Sequence, residues 1–232
     1  NAQHFFLKRF NSLIRFPLWM PTPANRRFNQ LVKELNDIVY GLIRARRHDS
    51  RDRGDLLSML LHAQDEDDQG RMTDRQLRDE VMTLFLAGHE TTAQMLSWTW
   101  RALAQNPRIL EKLQNEIERE VGDRPPTPAD PARMPYLEQV LLEALRLYPS
   151  AYLIGREAIE NCEIGGYDIP RGMTIWTCQW TMHRDPRFWD DPLEFRPERW
   201  ESDPLAKQPR IIYFPFGAGP RVCIGNTFAM LE

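Results

Sequence analysis

Phe216-Gly217-Ala218-Gly219-Pro220-Arg221-Val222-Cys223-Ile224-Gly225 crowds three glycines, an arginine and a cysteine into ten residues. Gly217 and Gly219 open backbone conformations closed to residues with a side chain, so the segment can turn tightly beneath a ligand. Gly225 lets the chain that follows approach a flat group closely. Arg221 brings a fixed positive charge suited to an anionic partner. From Gly225 to Glu232 the sequence reads as the start of a helix, which places Cys223 at a helix N-terminus. There the helix dipole and free amide hydrogens favour thiolate over thiol. A lone cysteine is usually a small buried hydrophobe. The pattern F-x-x-G-x-R-x-C-x-G is far more restrictive than that role requires.

The rest of the chain bounds this reading. Its 232 residues can bury a substantial core as one large domain or two small ones. Thirty basic residues stand against 33 acidic ones, for a net charge of -3, which argues against a nucleic-acid binder. Cys162, Cys178 and Cys223 are too few and too scattered for a disulfide framework, so a reducing, cytoplasmic compartment is expected. The chain begins with Asn1 and stops at Glu232 as a helix starts, and is read as part of a longer protein. Val81 to Trp100 is apolar, but His89 and Glu90 sit at its centre, which suits a buried helix better than a membrane span. Membrane association is not indicated in this segment.

Helical spacing of Leu31, Leu35, Ile38, Val39 and Leu42 follows a break around Pro17, Pro21 and Pro23. The basic run Arg44 to Arg47, with Arg51 and Arg53, reads as a solvated helix end and loop. Asp55 to His62 is expected to be a short helix and Asp65 to Arg71 an acidic loop. Thr73 and Gln76 have capping-box spacing and open a helical pattern that runs to Gln105, before Pro107. Further helices are expected over Arg108 to Val121 and Tyr136 to Tyr148, separated by a proline-rich connector. After Pro149 the character changes. Glu163 to Ile169 places Gly165 and Gly166 between strand-like runs, a hairpin signature, and Met173 to Trp180 supplies another strand. Asp185 to Trp200 is proline- and aromatic-rich and reads as an ordered meander. The fold class is mainly α with a small β region. Residues 1–150 form the helical part, with the long helix at 73–105 and another at 136–148. Residues 151–232 hold the small sheet, the meander and the cysteine loop.

Three further constellations carry chemistry. Ala87-Gly88-His89-Glu90-Thr91-Thr92 falls in the middle of the long helix, where a glycine costs about 1 kcal/mol relative to alanine. A hydroxyl there can bond back to a carbonyl and open a groove for a small ligand or water. Glu143 and Arg146 are three residues apart, on one helix face, with leucines flanking both charges. Phe195-Arg196-Pro197-Glu198-Arg199-Trp200 puts a further arginine in the meander.

Taken in this order, the four segments resemble cytochromes P450, and the resemblance covers essentially the whole chain. The cysteine loop is similar to that family's haem-binding loop, Ala87 to Thr92 to its oxygen-binding helix, and Glu143-Ala144-Leu145-Arg146 to its E-x-x-R helix. Phe195 to Trp200 resembles the P-E-R-F segment, with Trp200 in place of phenylalanine. The resemblance implies a P450 fold, incomplete at both ends, of the soluble bacterial type. It implies haem b as cofactor, with Cys223 as metal ligand, Arg221 and Arg156 as propionate contacts, and Phe216, Gly217 and Gly225 shaping the cofactor site. Thr91 and Glu90 take the catalytic, proton-delivering role, and His89 falls at a variable position of the pattern. Glu143, Arg146 and Arg199 form a structural charge triad. Phe85, Ala87, Gly88 and Tyr152 to Ile154 are expected to wall the pocket.

The implied reaction is monooxygenation of a hydrophobic organic substrate by dioxygen. Electrons come from a ferredoxin or a flavoprotein reductase, for which Arg210 and Arg221 offer a basic docking face. Two other readings belong beside it: a P450-fold peroxide isomerase or dehydratase, against which Glu90 and Thr91 argue, and a non-enzymatic haem-binding module.

Overall fold

The computed structural model describes residues 17–49, 51–63, 72–202 and 210–232. Among them the chain is mostly helical with a small β region, as expected. Two compact units divide it, Asn1–Ala87 and Gly88–Glu232. The expected acidic loop at 65–71 lies outside the described residues.

In the first unit, α1 spans Pro23–His48 and α2 spans Leu56–His62. Thr22 caps α1 by accepting the Asn25 N–H at 3.2 Å, with Pro23 preset for the first helical position. Val39, Ile43 and Leu77 form the buried centre, packed by Leu57, Leu60, Leu61 and Met72. The basic run at the end of α1 is used internally. Arg46 grips Asp55 at 2.5 and 2.7 Å and reaches the Ser58 hydroxyl at 2.7 Å. Arg47 pairs with Asp74 at 2.7 Å and Arg53 with Asp49 at 2.6 Å.

The long helix α3 spans Asp74–Gln105, one residue shorter than expected because Thr73 is its cap. The capping box forms: Thr73 N–H donates to Gln76 Oε1 at 2.9 Å, and Gln76 N–H to Thr73 Oγ1 at 3.3 Å. α3 stays helical through Gly88. No helix among the described residues is long and apolar enough to cross a membrane.

In the second unit, α4 (Pro107–Glu120) and α5 (Pro135–Leu147) each begin on a proline, one residue before the expected starts. The end of α3 packs with them: Ala102, Leu103, Leu113, Tyr136, Val140, Ala144, Leu147 and Phe195 make one buried cluster. The start of α5 is capped from a neighbouring helix. Buried Glu116 of α4 accepts the N–H groups of Tyr136 and Leu137 at 3.0 and 2.8 Å.

The β region is two separate antiparallel pairs. β1 (Ile154–Glu157) pairs with β4 (Thr174–Thr177), and β2 (Cys162–Ile164) pairs with β3 (Tyr167–Ile169). Gly165 and Gly166 take φ of 60° and 82°, the turn that a two-residue hairpin requires. The expected strand from Met173 to Trp180 is shorter, because after Cys178 the chain turns into α6 (Gln179–Met182). The meander follows, ending in a 3-10 turn over Pro197–Trp200. The last helix, α7, spans Asn226–Leu231.

Replacing Glu116 by alanine leaves two helix-start N–H groups without their acceptor in a buried place. Glu116→Ala is expected to cost about 1–3 kcal/mol, read as a lower denaturation midpoint of the full-length protein at an unchanged slope.

Candidate functional site

The second unit is organised around one carboxylate. Glu143 and Arg146, one helical turn apart on α5, are both fully buried. Arg146 Nε and Nη2 donate to the two Glu143 oxygens at 2.9 Å each. Arg199 Nε reaches Oε1 at 2.9 Å, the Arg196 N–H reaches it at 3.0 Å, and Trp200 Nε1 donates to Oε2 at 3.0 Å. The structure thus brings Glu143, Arg146 and Arg199 together.

Every donor of Arg146 is engaged. Beyond Glu143, Nη1 donates to the carbonyls of His183 and Pro192 at 2.7 and 2.8 Å, and Nη2 to that of Glu194 at 3.1 Å. Its guanidinium also lies 5.1 Å from the centre of the Trp189 ring. Arg199 extends the pattern to the carbonyls of Asp190 and Asp191 at 2.9 and 3.3 Å. Asp191 has a φ of 45°, a left-handed conformation that these contacts hold in place. With no donor left over, Arg146 fixes the meander rather than reacting. Burial pushes the Glu143 carboxyl up, but the hydrogen bonds and charges of Arg146 and Arg199 outweigh it and leave it below the usual range.

The meander delivers the cysteine loop. Tyr213 donates its hydroxyl to the Leu142 carbonyl at 3.1 Å, and its ring meets those of Trp189, Trp200 and His183 edge-on or tilted. The Phe214 N–H donates to His183 Nε2 at 3.0 Å, the Gly217 N–H to the Phe214 carbonyl at 2.9 Å, and the Cys223 N–H to the Phe216 carbonyl at 2.8 Å. Gly217 and Gly219 have φ of 76° and 70°, as expected from their type. A Cβ on Gly217 would lie 3.4 Å from Ile154 Cδ1, and one on Gly225 3.9 Å from Cys223 Sγ. Gly225 itself has φ −89° and forms the cap of α7, so neither its backbone nor packing within the chain demands glycine there. Cys223 stands two residues before that cap and is exposed, as are its chain neighbours Val222 and Ile224 and, on α7, Phe228. Exposed apolar residues beside an exposed thiol in the chain offer surface that a flat, apolar macrocycle would cover.

The remaining expected residues are placed less closely. Arg221 is exposed at the end of the 3-10 turn Gly219–Arg221. Arg156 lies on β1, opposite Ile175, and donates to the Gly155 carbonyl at 2.9 Å. In α3, the Glu90 carboxylate accepts from Gln94 Nε2 at 3.1 Å, and the Thr91 carbonyl accepts the Ser150 hydroxyl at 2.8 Å. A Cβ on Gly88 would meet no protein atom within 4 Å, so packing within the chain does not demand glycine there. Phe85, Ala87, Tyr152 and Leu153 are exposed. The side chain of Arg210 lies outside the described residues.

Sequence reasoning missed Trp200 as a ligand of Glu143, and His183 altogether. The tryptophan was visible as a departure from phenylalanine, and an indole N–H is the one donor that phenylalanine lacks. His183 carried no signal, since a single histidine in a meander has no pattern around it.

The cytochrome P450 family model matches residues 2–232. Cyclooctatin synthase of Streptomyces melanosporofaciens is 41% identical over 92% of the chain and 47% of its own length. Pentalenene oxygenase of Streptomyces avermitilis is 36% identical over 92% of the chain and 47% of its length. LUTEIN DEFICIENT 5 of Arabidopsis thaliana is 37% identical over 93% of the chain and 38% of its length. The chain therefore spans about half the length, or less, of these relatives. The crystal structure of a cytochrome P450DA mutant heme domain superposes with a TM-score of 0.89 at 33% identity, covering 99% of this chain and 50% of that one.

Truncating Arg146 would strand the buried Glu143 carboxylate and three carbonyls. Arg146→Ala is expected to cost about 3–5 kcal/mol, whereas Trp200→Phe, which removes one of five donors, is expected to cost about 1 kcal/mol. Both are read by denaturant unfolding of the full-length protein. Because Glu143 is held below its unfolded value, its contribution is complete above about pH 4.5 and is lost as pH falls through the folded value. Arg146→Ala should flatten that acid limb.

Proposed function

The chain belongs to the cytochrome P450 family, and we propose that it is the C-terminal half or so of a haem-thiolate monooxygenase. The observation that carries this reading is Cys223. Its thiol is exposed on a loop turned by two left-handed glycines, its chain neighbours Val222 and Ile224 are exposed and apolar, and its backbone N–H donates to the Phe216 carbonyl. Those residues fit haem b: a sulfur ligand, space kept open at Gly225, and an apolar surface for the macrocycle. When bound, the haem supplies the reductive activation of dioxygen, with one atom going to substrate and the other to water.

The chain's own residues do the rest. Cys223 stands two residues before the cap of α7 and offers its sulfur at the surface. Arg221 and Arg156 are assigned to the propionates, and Phe216 and Gly217 shape the loop beneath. Glu90 and Thr91 hold and pass protons from the middle of α3, an arrangement steadied by Gln94 on the carboxylate and Ser150 on the Thr91 carbonyl. Glu143, Arg146 and Arg199 keep the scaffold in place without touching substrate.

The substrate class proposed is a hydrophobic organic molecule. Relatives named for oxygenation of pentalenene and of cyclooctat-9-en-7-ol support an unsaturated hydrocarbon or its alcohol. Reducing equivalents would come from a ferredoxin or a flavoprotein reductase, with Arg221 on the docking side.

The reduced, carbon-monoxide-bound absorption spectrum of the full-length, haem-reconstituted protein tests the centre of this reading. A red-shifted band of the thiolate type is expected, and Cys223→Ala should abolish it. A histidine-type band, or no haem uptake, would overturn the proposal. Thr91→Ala is expected to lower product formed per reduced nicotinamide consumed several-fold and to raise peroxide; unchanged coupling would remove Thr91 from proton delivery.

A further inference from the structure

His183 has no part in the roles assigned above, yet it is fully buried where three segments meet. Its carbonyl accepts from Arg146 Nη1 at 2.7 Å, and its own N–H donates to the Gln179 carbonyl at 2.8 Å. Its imidazole Nε2 lies 3.0 Å from the Phe214 backbone nitrogen. A backbone N–H can only donate, so Nε2 must be the unprotonated nitrogen and the ring a neutral Nδ1–H tautomer. From Phe214 the bonding continues to Gly217, and from Phe216 to Cys223. His183 thus stands between the ion-pair network and the thiol-bearing loop.

From this geometry we infer that His183 is a positioning residue: its neutral Nε2 holds the cysteine loop through the Phe214 N–H, and protonation of that nitrogen releases the loop. A proton on Nε2 would set donor against donor at 3.0 Å. It would also add a positive charge beside two others, Arg146 on α5 and the adjacent Arg184. Among the described residues no carboxylate is free to offset that charge, and only the carbonyls of Arg146 and Leu145 favour it. Glu143 is saturated by its five donors, and the Tyr213 hydroxyl, pushed up by burial, is committed to Leu142. Burial, aided by the charges of Arg146 and Arg184 and opposed by the carbonyls of Arg146 and Leu145, pushes His183 down to about 4. With the folded value below the unfolded one, loop stability rises with pH between about 4 and 6.5 and is level above that window.

The inference rests on Cys223 as the haem ligand only where it concerns the cofactor; the loop itself is tested separately. Hydrogen exchange of residues 213–225 is measured in the full-length holoprotein from pH 4 to 8, beside the carbon-monoxide spectrum. His183→Phe cannot accept the bond, and is expected to speed exchange of this loop about tenfold and to lower the thiolate-type band at neutral pH. His183→Asn, whose Oδ1 accepts, should restore neutral protection while losing the acid dependence. Wild-type exchange and spectrum in His183→Phe would overturn the inference. Should that variant not accumulate, the wild type decides. Loop protection falling below pH 6.5 while α4 and α5 remain protected supports it; loss in step with those helices, or no loss, overturns it. A wild type without a thiolate-type band would sink the Cys223 reading and leave the exchange test of His183 standing.

Discussion

The second unit depends on how a single buried carboxylate is satisfied. Glu143 brings a negative charge into the interior, a cost that only well-aimed donors offset. It collects them from α5 itself, from the meander backbone and from two side chains of the Pro197–Trp200 turn. The two arginines recruited for this purpose then have donors to spare, and they use them on five meander carbonyls, those of His183, Asp190, Asp191, Pro192 and Glu194. A segment with little regular hydrogen bonding of its own is thereby given a fixed path. Removing one partner therefore affects far more than one ion pair.

The cysteine loop inherits its order from that arrangement. Tyr213 and Phe214 are anchored to α5 and to His183, and the glycine turn extends from this anchored base. The helices bear on it indirectly. Glu116 of α4 holds the first turn of α5, which in turn carries Glu143 and Arg146 at its far end. Packing of Leu113, Val140 and Phe195 supplies the apolar counterpart, so the charged network sits against a hydrophobic wall rather than open water.

Much of this was legible in the sequence because the signals are local. Thr73 and Gln76, Gly165 and Gly166, and Gly217 and Gly219 each dictate a turn or cap through their own chemistry, and each does so in the fold. The pairing of Glu143 with Arg146 follows from helical spacing alone. What could not be read is whatever depends on residues far apart in the chain. Nothing in the composition of the meander says that its carbonyls, rather than its side chains, are what Arg146 binds. The strand after Met173 was overextended because its apolar run continues into α6, where periodicity over so few residues cannot separate strand from helix. The basic run at the end of α1 likewise gave no hint that Asp55 and Asp74 would claim it.

The separations involved bear on how the molecule assembles. Glu116 meets Tyr136 across 20 residues, whereas Glu143 meets Arg196, Arg199 and Trp200 across 53, 56 and 57. Closing the longer loops has a larger entropic cost, and contacts of that range form after nearer ones. By that range the α4–α5 contact is expected to form before the meander closes on Glu143. During synthesis from the N-terminus, Leu142 and His183, which anchor the base of the cysteine loop, are made before Cys223. A chain that has not closed its meander leaves the cysteine loop without the Leu142 and His183 contacts that anchor its base.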